Sequence, residues 1–205
     1  MIARRTALPL ALLLVAGAAA AQTRTGSLSE ARLAAREAKA LSKAGKHAEA
    51  EVQYRKAIQL DPQLTEAYEG LSNSLFVQRK HGQAVTLLRE ALGRLQGSDP
   101  LEAQLAMHLY RQRKYDEAYK LFKASVAALP KRYATQAVAG QCCLQQQDHQ
   151  CAKEAFERFL AHRPASLARQ DLPIRVGLAR ALFGLGKPAK ARAELGRAQA
   201  IKRDY

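Results

Sequence analysis

Ala50-Glu51-Val52-Gln53-Tyr54-Arg55-Lys56-Ala57 returns in outline as Ala84-Val85-Thr86-Leu87-Leu88 with Ala91, as Ala118-Tyr119-Lys120-Leu121-Phe122, and as Ala152-Lys153-Glu154-Ala155-Phe156. The opening alanines stand at 50, 84, 118 and 152, each 34 residues after the last. A fixed period of that length predicts a row of helical hairpins, each stacked on its neighbours, and not a globule closed around one core. A fifth copy follows at Ala191, Leu195 and Ala198, its alanine 39 residues after Ala152, so five residues have been inserted before it. Such an insertion is expected between hairpins, where added loop length costs little.

Stop signals frame the hairpins on either side of these segments. Gly45 separates helices over 28–43 and 47–60, and Asp61-Pro62 ends the second, because proline lacks the N–H donor and clashes with the preceding turn. The same pattern predicts helices over 64–78 and 81–95, 101–111 and 115–129, 132–145 and 149–162, and 172–184 and 188–201, with stops at Pro130 and Pro164. Hairpins are therefore expected at about 28–62, 64–96, 98–130, 132–164 and 172–201, with 202–205 a short tail. Ser27 and Glu30 have the spacing of a capping box at the first helix start, and the polar stretch 22–27 before them reads as a flexible leader.

The first 21 residues have the three parts of a signal peptide: Arg4 and Arg5, a short apolar run over 7–16, and the small residues Ala19-Ala20-Ala21 before Gln22. The run falls short of the roughly 20 residues that span a bilayer, which favours a cleaved signal over a retained anchor. The expected address is the periplasm. The formal charge of the whole chain is +15, and loss of the signal with its two arginines leaves +13. A field of that sign draws anionic partners, whether acidic protein, envelope polymer or membrane surface. Nucleic acid is disfavoured, since no binding motif accompanies the charge and an exported protein rarely meets it.

The repeated residues resemble the tetratricopeptide repeat family, whose pattern has a small residue opening the second helix, a large apolar residue four on, an alanine three further on, and a closing proline. Ala50, Tyr54, Ala57 and Pro62 match throughout. In the later copies the closing proline is displaced to Pro100, Ser125 takes an alanine's place, and bulky Phe159 takes another. The resemblance covers about 28–201 and implies an all-α solenoid of about five hairpins in a right-handed superhelix. In such a stack Ala50, Ala84, Ala118, Ala152 and Ala191 let helix backbones approach. Tyr54, Leu88, Phe122, Phe156 and Leu195 then fill the space between hairpins.

The resemblance also assigns the first helix of each hairpin to a concave wall. Ser42, Phe76, Tyr110, Leu144 and Phe183 fall in one equivalent slot, with Asn73, Met107, Arg111, Gln141, Gln145 and Arg180 around them. Aromatic anchors, amides and two guanidinium groups suit a peptide or helical segment of a partner protein, with Arg111 and Arg180 able to hold carboxylates. A stripe at helical spacing is also what packing between adjacent helices produces, so the same residues have a structural reading. The family's clamp for a terminal carboxylate is disfavoured, because Glu69 stands where a lysine is needed.

Cys142, Cys143 and Cys151 admit three arrangements. A turn near Gln147-Asp148 folds Cys143 back towards Cys151, which allows a disulfide between them in an oxidising compartment, with Cys142–Cys151 the lesser geometry. A metal site from Cys143, His149 and Cys151 lacks a fourth ligand, and unbonded buried thiols are the remaining case. His47, His81 and His149 begin second helices, where they can pack on the turn, and His108 and His162 have no adjacent nucleophile or paired carboxylate. Without a catalytic constellation or a phosphate-cradling glycine loop, no cofactor or metal is expected. The sequence therefore points to a non-enzymatic binding scaffold of the bacterial cell envelope, with an adaptor for an anionic polymer or membrane surface as the alternative.

Overall fold

The computed structural model describes the backbone of residues 10–95, 97–125 and 127–203, and side chains within them from Gly26 onward, Ser125 excepted. The first nine residues of the expected signal lie outside it. The described residues form ten α-helices and one 3-10 turn, with no strand among them. The helices are α1 (Leu10–Lys43), α2 (His47–Leu60), α3 (Thr65–Val77), α4 (His81–Arg94) and α5 (Asp99–Arg111), followed by α6 (Tyr115–Ser125), α7 (Tyr133–Gln145), α8 (His149–His162), α9 (Asp171–Gly184) and α10 (Pro188–Arg203). The chain divides into two compact units, Met1–Gln78 and Arg79–Tyr205, and the division falls inside the segment 64–96 expected as one hairpin.

The repeat is visible first in the backbone. One residue of positive φ follows the first helix of each pair: Gly45 (78°), Arg79 (62°), Arg113 (63°), Gln147 (57°) and Gly186 (69°). Their spacing is 34, 34, 34 and 39 residues, so the five-residue insertion is reproduced in the turns. At Gly45 the turn closes through its N–H to Ser42 O at 3.1 Å and the Lys46 N–H to Leu41 O at 2.9 Å. The Arg113, Gln147 and Gly186 turns repeat both bonds, as in Arg113 N–H to Tyr110 O at 2.9 Å and Lys114 N–H to Leu109 O at 3.0 Å. This is the Schellman closure, which satisfies carbonyls a helix end would leave open and needs a left-handed residue to do so. A side-chain bond repeats as well. The Gln78 amide donates to His47 O at 3.2 Å, and the Gln112 amide to His81 O at 3.4 Å.

Within the first unit α1 pairs with α2, and α3 packs on both. Ala31, Ala34, Ala35 and Ala38 of α1 are buried together with Ala50, Tyr54 and Ala57 of α2 and Leu71 and Leu75 of α3. The second unit continues in pairs, α5 with α6, α7 with α8 and α9 with α10, and each second helix also packs on the next first helix. Ala84, Ala118 and Ala152 are fully buried and Ala191 nearly so, which is what close helix approach requires. Leu88, Phe122 and Phe156 are fully buried, each contributing about 1.5–3 kcal/mol of transfer free energy. The Phe156 ring lies between glycines of two helices: a Cβ on Gly140 would stand 2.5 Å from it and one on Gly177 2.7 Å. Tyr54 sits in the same way against Gly70, where a Cβ would approach to 2.1 Å.

Several expectations are corrected. Leu195 does not fill a gap between hairpins but is 42% exposed, because no further helix among the described residues stacks on α10. Ser27 is not a cap, since α1 begins at Leu10 and runs through the 22–27 stretch expected as a leader. Its hydroxyl donates instead to Leu60 O at 2.9 Å, joining α1 to the end of α2. The described α6 ends at Ser125, and residues 127–129, expected to be helical, are not. Pro100 opens α5 and closes nothing, occupying a first-turn position where a missing N–H is harmless. Phe159, the bulky departure from pattern, is only 2% exposed and packs edge-on against Tyr133, with ring centroids 6.0 Å apart.

The insertion before the last pair forms the 3-10 turn Ala165–Gln170, and a buried ion network fixes the helix that follows. Asp171, at the start of α9 and 2% exposed, accepts from Arg163 Nε and Nη2 at 2.5 and 2.6 Å. These bonds push the Arg163 guanidinium further above its ordinary pKa. Arg175 lies 3.6 Å from Asp171 and donates to Glu194 of α10 at 2.8 Å, while Arg197 pairs with Glu194 from its other side. A buried carboxylate is tolerable only when paired and hydrogen-bonded in this way.

Candidate functional site

The expected groove residues are distributed over both units. Asn73 and Phe76 are on α3 of the first; Met107, Tyr110, Arg111, Gln141, Leu144, Gln145, Arg180 and Phe183 are on α5, α7 and α9 of the second. The inward faces of α5, α7 and α9 are spent on the core, through Leu105 and Leu109, Ala139 and Cys143, and Leu178 and Leu182. Residues about 100° round each helix are thereby turned to its flank.

Five of the expected residues converge. Tyr110, Gln141, Leu144, Gln145 and Arg180 line a recess of about 230 Å³, together with Pro173, Val176 and Gly177 of α9. The Tyr110 hydroxyl donates to Gln141 Oε1 at 3.3 Å, linking α5 to α7 across it. The Tyr110 ring leans on Tyr115 with centroids 5.3 Å apart. Burial, then the neighbouring Tyr115 and Cys142, raise the pKa of Tyr110, so it remains a neutral donor. The recess thus offers an aromatic and aliphatic floor, two amides that can match a peptide backbone, and one exposed guanidinium.

The other expected residues lie elsewhere. Met107 accepts a 3.6 Å contact from the Thr135 hydroxyl, and exposed Arg111 does not line the recess. Phe183 is 72% exposed and belongs with Val176, Arg180 and Leu195 to an apolar groove of about 560 Å³ on the α9–α10 pair. His149 lies in the same groove, its ring so close to Gly184 that a Cβ there would approach to 2.4 Å. Asn73 lines a different cavity, of about 560 Å³, within the first unit, and half-buried Phe76 does not. Sequence reasoning missed Pro173, Val176 and Gly177, which lie earlier on α9 than the slot that the resemblance marks.

Cys143 and Cys151 are joined by a disulfide with Cα atoms 5.8 Å apart, within the span a bridge requires. Cys142 is the free thiol; it is fully buried and donates to Tyr115 O at 3.6 Å. Burial, with Asp116 nearby, pushes its pKa up to about 11, so it is a packed thiol and not a nucleophile. The metal arrangement of Cys143, His149 and Cys151 is overturned by the bridge, which consumes both thiolates. No group of three or more His, Cys, Asp or Glu able to hold a metal occurs among the described residues.

Comparisons with known proteins agree with the helical-hairpin fold. The chain is similar in structure to MamA of strain AMB-1 (TM-score 0.65, 15% identity, covering 85% of this chain and 93% of that one). It is similar also to YrrB, described as a TPR protein with an unusual peptide-binding site (TM-score 0.63, 19% identity, covering 84% and 86%). A third likeness is to PilF of Pseudomonas aeruginosa (TM-score 0.65, 23% identity, covering 82% and 75%). A search of curated sequences finds no significant match. The family profile described as tetratricopeptide repeat matches residues 36–100 and 104–166. On the 34-residue recurrence, the repeated left-handed turns and this match, the chain belongs to the tetratricopeptide repeat family.

Proposed function

We propose that this chain is a non-enzymatic scaffold of the bacterial cell envelope that holds a segment of a partner protein in the recess formed by α5, α7 and α9. Tetratricopeptide repeat proteins mediate protein–protein interaction, and the observation that carries the finer reading is the convergence of Tyr110, Gln141, Leu144, Gln145 and Arg180 on one recess. The peptide-binding site named for YrrB supports the same mode. The signal-like residues at 4–5, 7–16 and 19–21 support export to the periplasm. The Cys143–Cys151 bridge supports it too, since disulfides persist in oxidising compartments.

A photo-crosslinking residue placed at position 145 in living cells, followed by mass spectrometry, tests the proposal. One partner protein should be captured, and the crosslink should be lost in Tyr110→Ala and Arg180→Glu. In vitro the complex should persist in about 1 M salt, where screening acts within about 3 Å and only short-range contacts survive. Binding that disappears with salt and ignores Tyr110→Ala would instead indicate the anionic polymer or membrane surface that the +15 charge suggests.

A further inference from the structure

Helix α7 forms one wall of the recess through Gln141, Leu144 and Gln145, and of the three helices around the recess it has the least support from its own sequence. Tyr133–Gln145 carries no charged residue, so neither an ion pair along the helix nor a charge at either end steadies it. Thr135, Val138, Gly140, Cys142 and Cys143 are weak helix formers. By contrast α5 has Asp99 and Glu102 in its first turn and Arg111 in its last, and α9 is anchored through Asp171 and Arg175. What closes α7 is a pair of hydrogen bonds, the Gln147 N–H to Leu144 O at 3.2 Å and the Asp148 N–H to Cys143 O at 3.0 Å, together with the covalent bond from Cys143 to Cys151 across the same turn. Residue 143 thus carries both a closing hydrogen bond and the bridge, and the recess residues Leu144 and Gln145 lie between it and the turn.

We propose that the Cys143–Cys151 bridge is a redox gate on the recess, the oxidised chain holding the partner segment and the reduced chain releasing it. The gate rests on the reading of the recess as the working surface. Cys143 is fully buried and Cys151 half-buried, so an external sulfur reaches the bridge at Cys151. Opening takes a dithiol reductant. One of its thiolates attacks Cys151 Sγ, the bridge breaks, and Cys143 leaves as a thiolate that takes up a proton. The second reductant sulfur then displaces Cys151 from the mixed disulfide, and Cys151 is protonated in turn. Two electrons and two protons have passed to the chain and the reductant is left as a disulfide; an external disulfide reverses each step. Cys142 stays out of the exchange, because it is fully buried and donates to Tyr115 O, and only a thiolate attacks. With the bridge open, Gly140 still lies against the Phe156 ring, so the loosening is confined to the last turn of α7, which carries Leu144 and Gln145. The apparent affinity for the partner then falls with the fraction of chains whose recess is intact.

The test labels the full chain with 3-fluorotyrosine and follows the fluorine resonance of Tyr110, assigned by its loss in Tyr110→Phe, at set ratios of reduced to oxidised dithiothreitol. Tyr110 is the reporter because its hydroxyl donates to Gln141 across the recess. A second Tyr110 resonance should grow in step with the free thiols and vanish on reoxidation, while the resonance of Tyr54 in the first unit stays in place. Cys143→Ala/Cys151→Ala should show only the second resonance at every ratio, and Cys142→Ala should titrate like the parent. In cells, crosslinking from position 145 should fall at least about fivefold in Cys143→Ala/Cys151→Ala. A Tyr110 resonance indifferent to reduction would overturn the gate, as would hydrogen exchange quickened equally in the α5–α6 hairpin, which would mean loss of the whole fold. Equal capture with and without the bridge would sink the gate and leave the recess standing. Switching of the resonance with no capture from either chain would instead sink the recess as the working surface while supporting the bridge's control of its shape.

Discussion

The hairpin α5–α6 and the hairpin α7–α8 have the same turn, with a left-handed residue at Arg113 in one and Gln147 in the other. They are reinforced differently. After Gln147 comes Asp148, whose Oδ1 accepts from the Cys151 N–H at 3.0 Å and caps α8. Its Oδ2 accepts from the Tyr119 hydroxyl at 2.7 Å and from Lys123 at 3.4 Å, tying the turn to α6, and the Cys143–Cys151 bridge closes the same hairpin. In α5–α6 the equivalent of Asp148 is Lys114, so that hairpin has neither the bridge nor a carboxylate at the capping position. Its distinctive feature is His108, fully buried on α5 and accepting at Nε2 from the Gln104 amide at 3.2 Å. Burial, followed by the charges of Arg111 and His81, pushes its pKa down to about 4. A common period thus sets a common backbone, while each hairpin's stability rests on its own side chains. Both hairpins supply the recess, Tyr110 from one and Gln141, Leu144 and Gln145 from the other.

The largest expected effect separates the two by pH. With a folded pKa of about 4 against about 6.5 when unfolded, His108 is protonated first in the unfolded chain. Stability should therefore fall as pH drops from about 6.5 towards 4, by on the order of 3 kcal/mol in all. Urea midpoints at pH 7.5 and 4.5 check this, and His108→Gln should flatten the profile. An unchanged slope in that variant would remove His108 as the cause.

Next in size is the bridge. Reduction should lower stability by about 2–3 kcal/mol, as expected for a closed loop this short. Hydrogen exchange should quicken at amides 142–152 and stay unaltered at 108–120. A Cys143→Ala/Cys151→Ala variant should no longer respond to dithiothreitol. Loss of protection in both hairpins alike would contradict the separation drawn here.

Asp148→Ala should cost about 1–2 kcal/mol through the lost cap and its cross-helix bonds. Burial alone would raise the Asp148 pKa. The hydrogen bonds from the Cys151 N–H, the Tyr119 hydroxyl and Lys123 outweigh it, leaving the pKa below the usual carboxylate value. Its stabilisation is therefore complete above about pH 4 and lost as pH falls through the lowered folded value. Acid titration of the parent against Asp148→Asn should diverge only in that region. The reciprocal Lys114→Asp should bring a cap to α5–α6 and gain about 0.5–1 kcal/mol.

The smallest effect concerns the shared turn. Arg113→Gly and Gln147→Gly relieve the left-handed conformation, and each should raise stability by up to about 1 kcal/mol in thermal melts. Equal gains would show that the bridge has not altered the turn. A gain at Arg113 alone would show that it has.

Much of this was legible in the residues. The alanines at 50, 84, 118, 152 and 191 marked the helix contacts, and Gly45 and Pro62 marked where helices stop. The site was only partly legible. Tyr110, Leu144 and Phe183 were assigned one equivalent slot on α5, α7 and α9, yet Phe183 faces solvent at the last pair while Leu144 lines the recess.

What the sequence determined by itself is whatever depends on near neighbours along the chain. A hairpin turn closes through bonds five residues apart, and a helix face is set by 3.6-residue periodicity, so a 34-residue recurrence is enough to specify both. Tertiary structure alone decided which faces are covered and by what. The turn at Gln147-Asp148 already brought Cys143 towards Cys151, but only the packing of α7 on α6 set adjacent Cys142, about 100° round the helix, against the Tyr115 carbonyl. Leu195 is exposed where Leu88 is buried, because burial is a property of the helix that packs alongside and not of the residue's own place in the repeat.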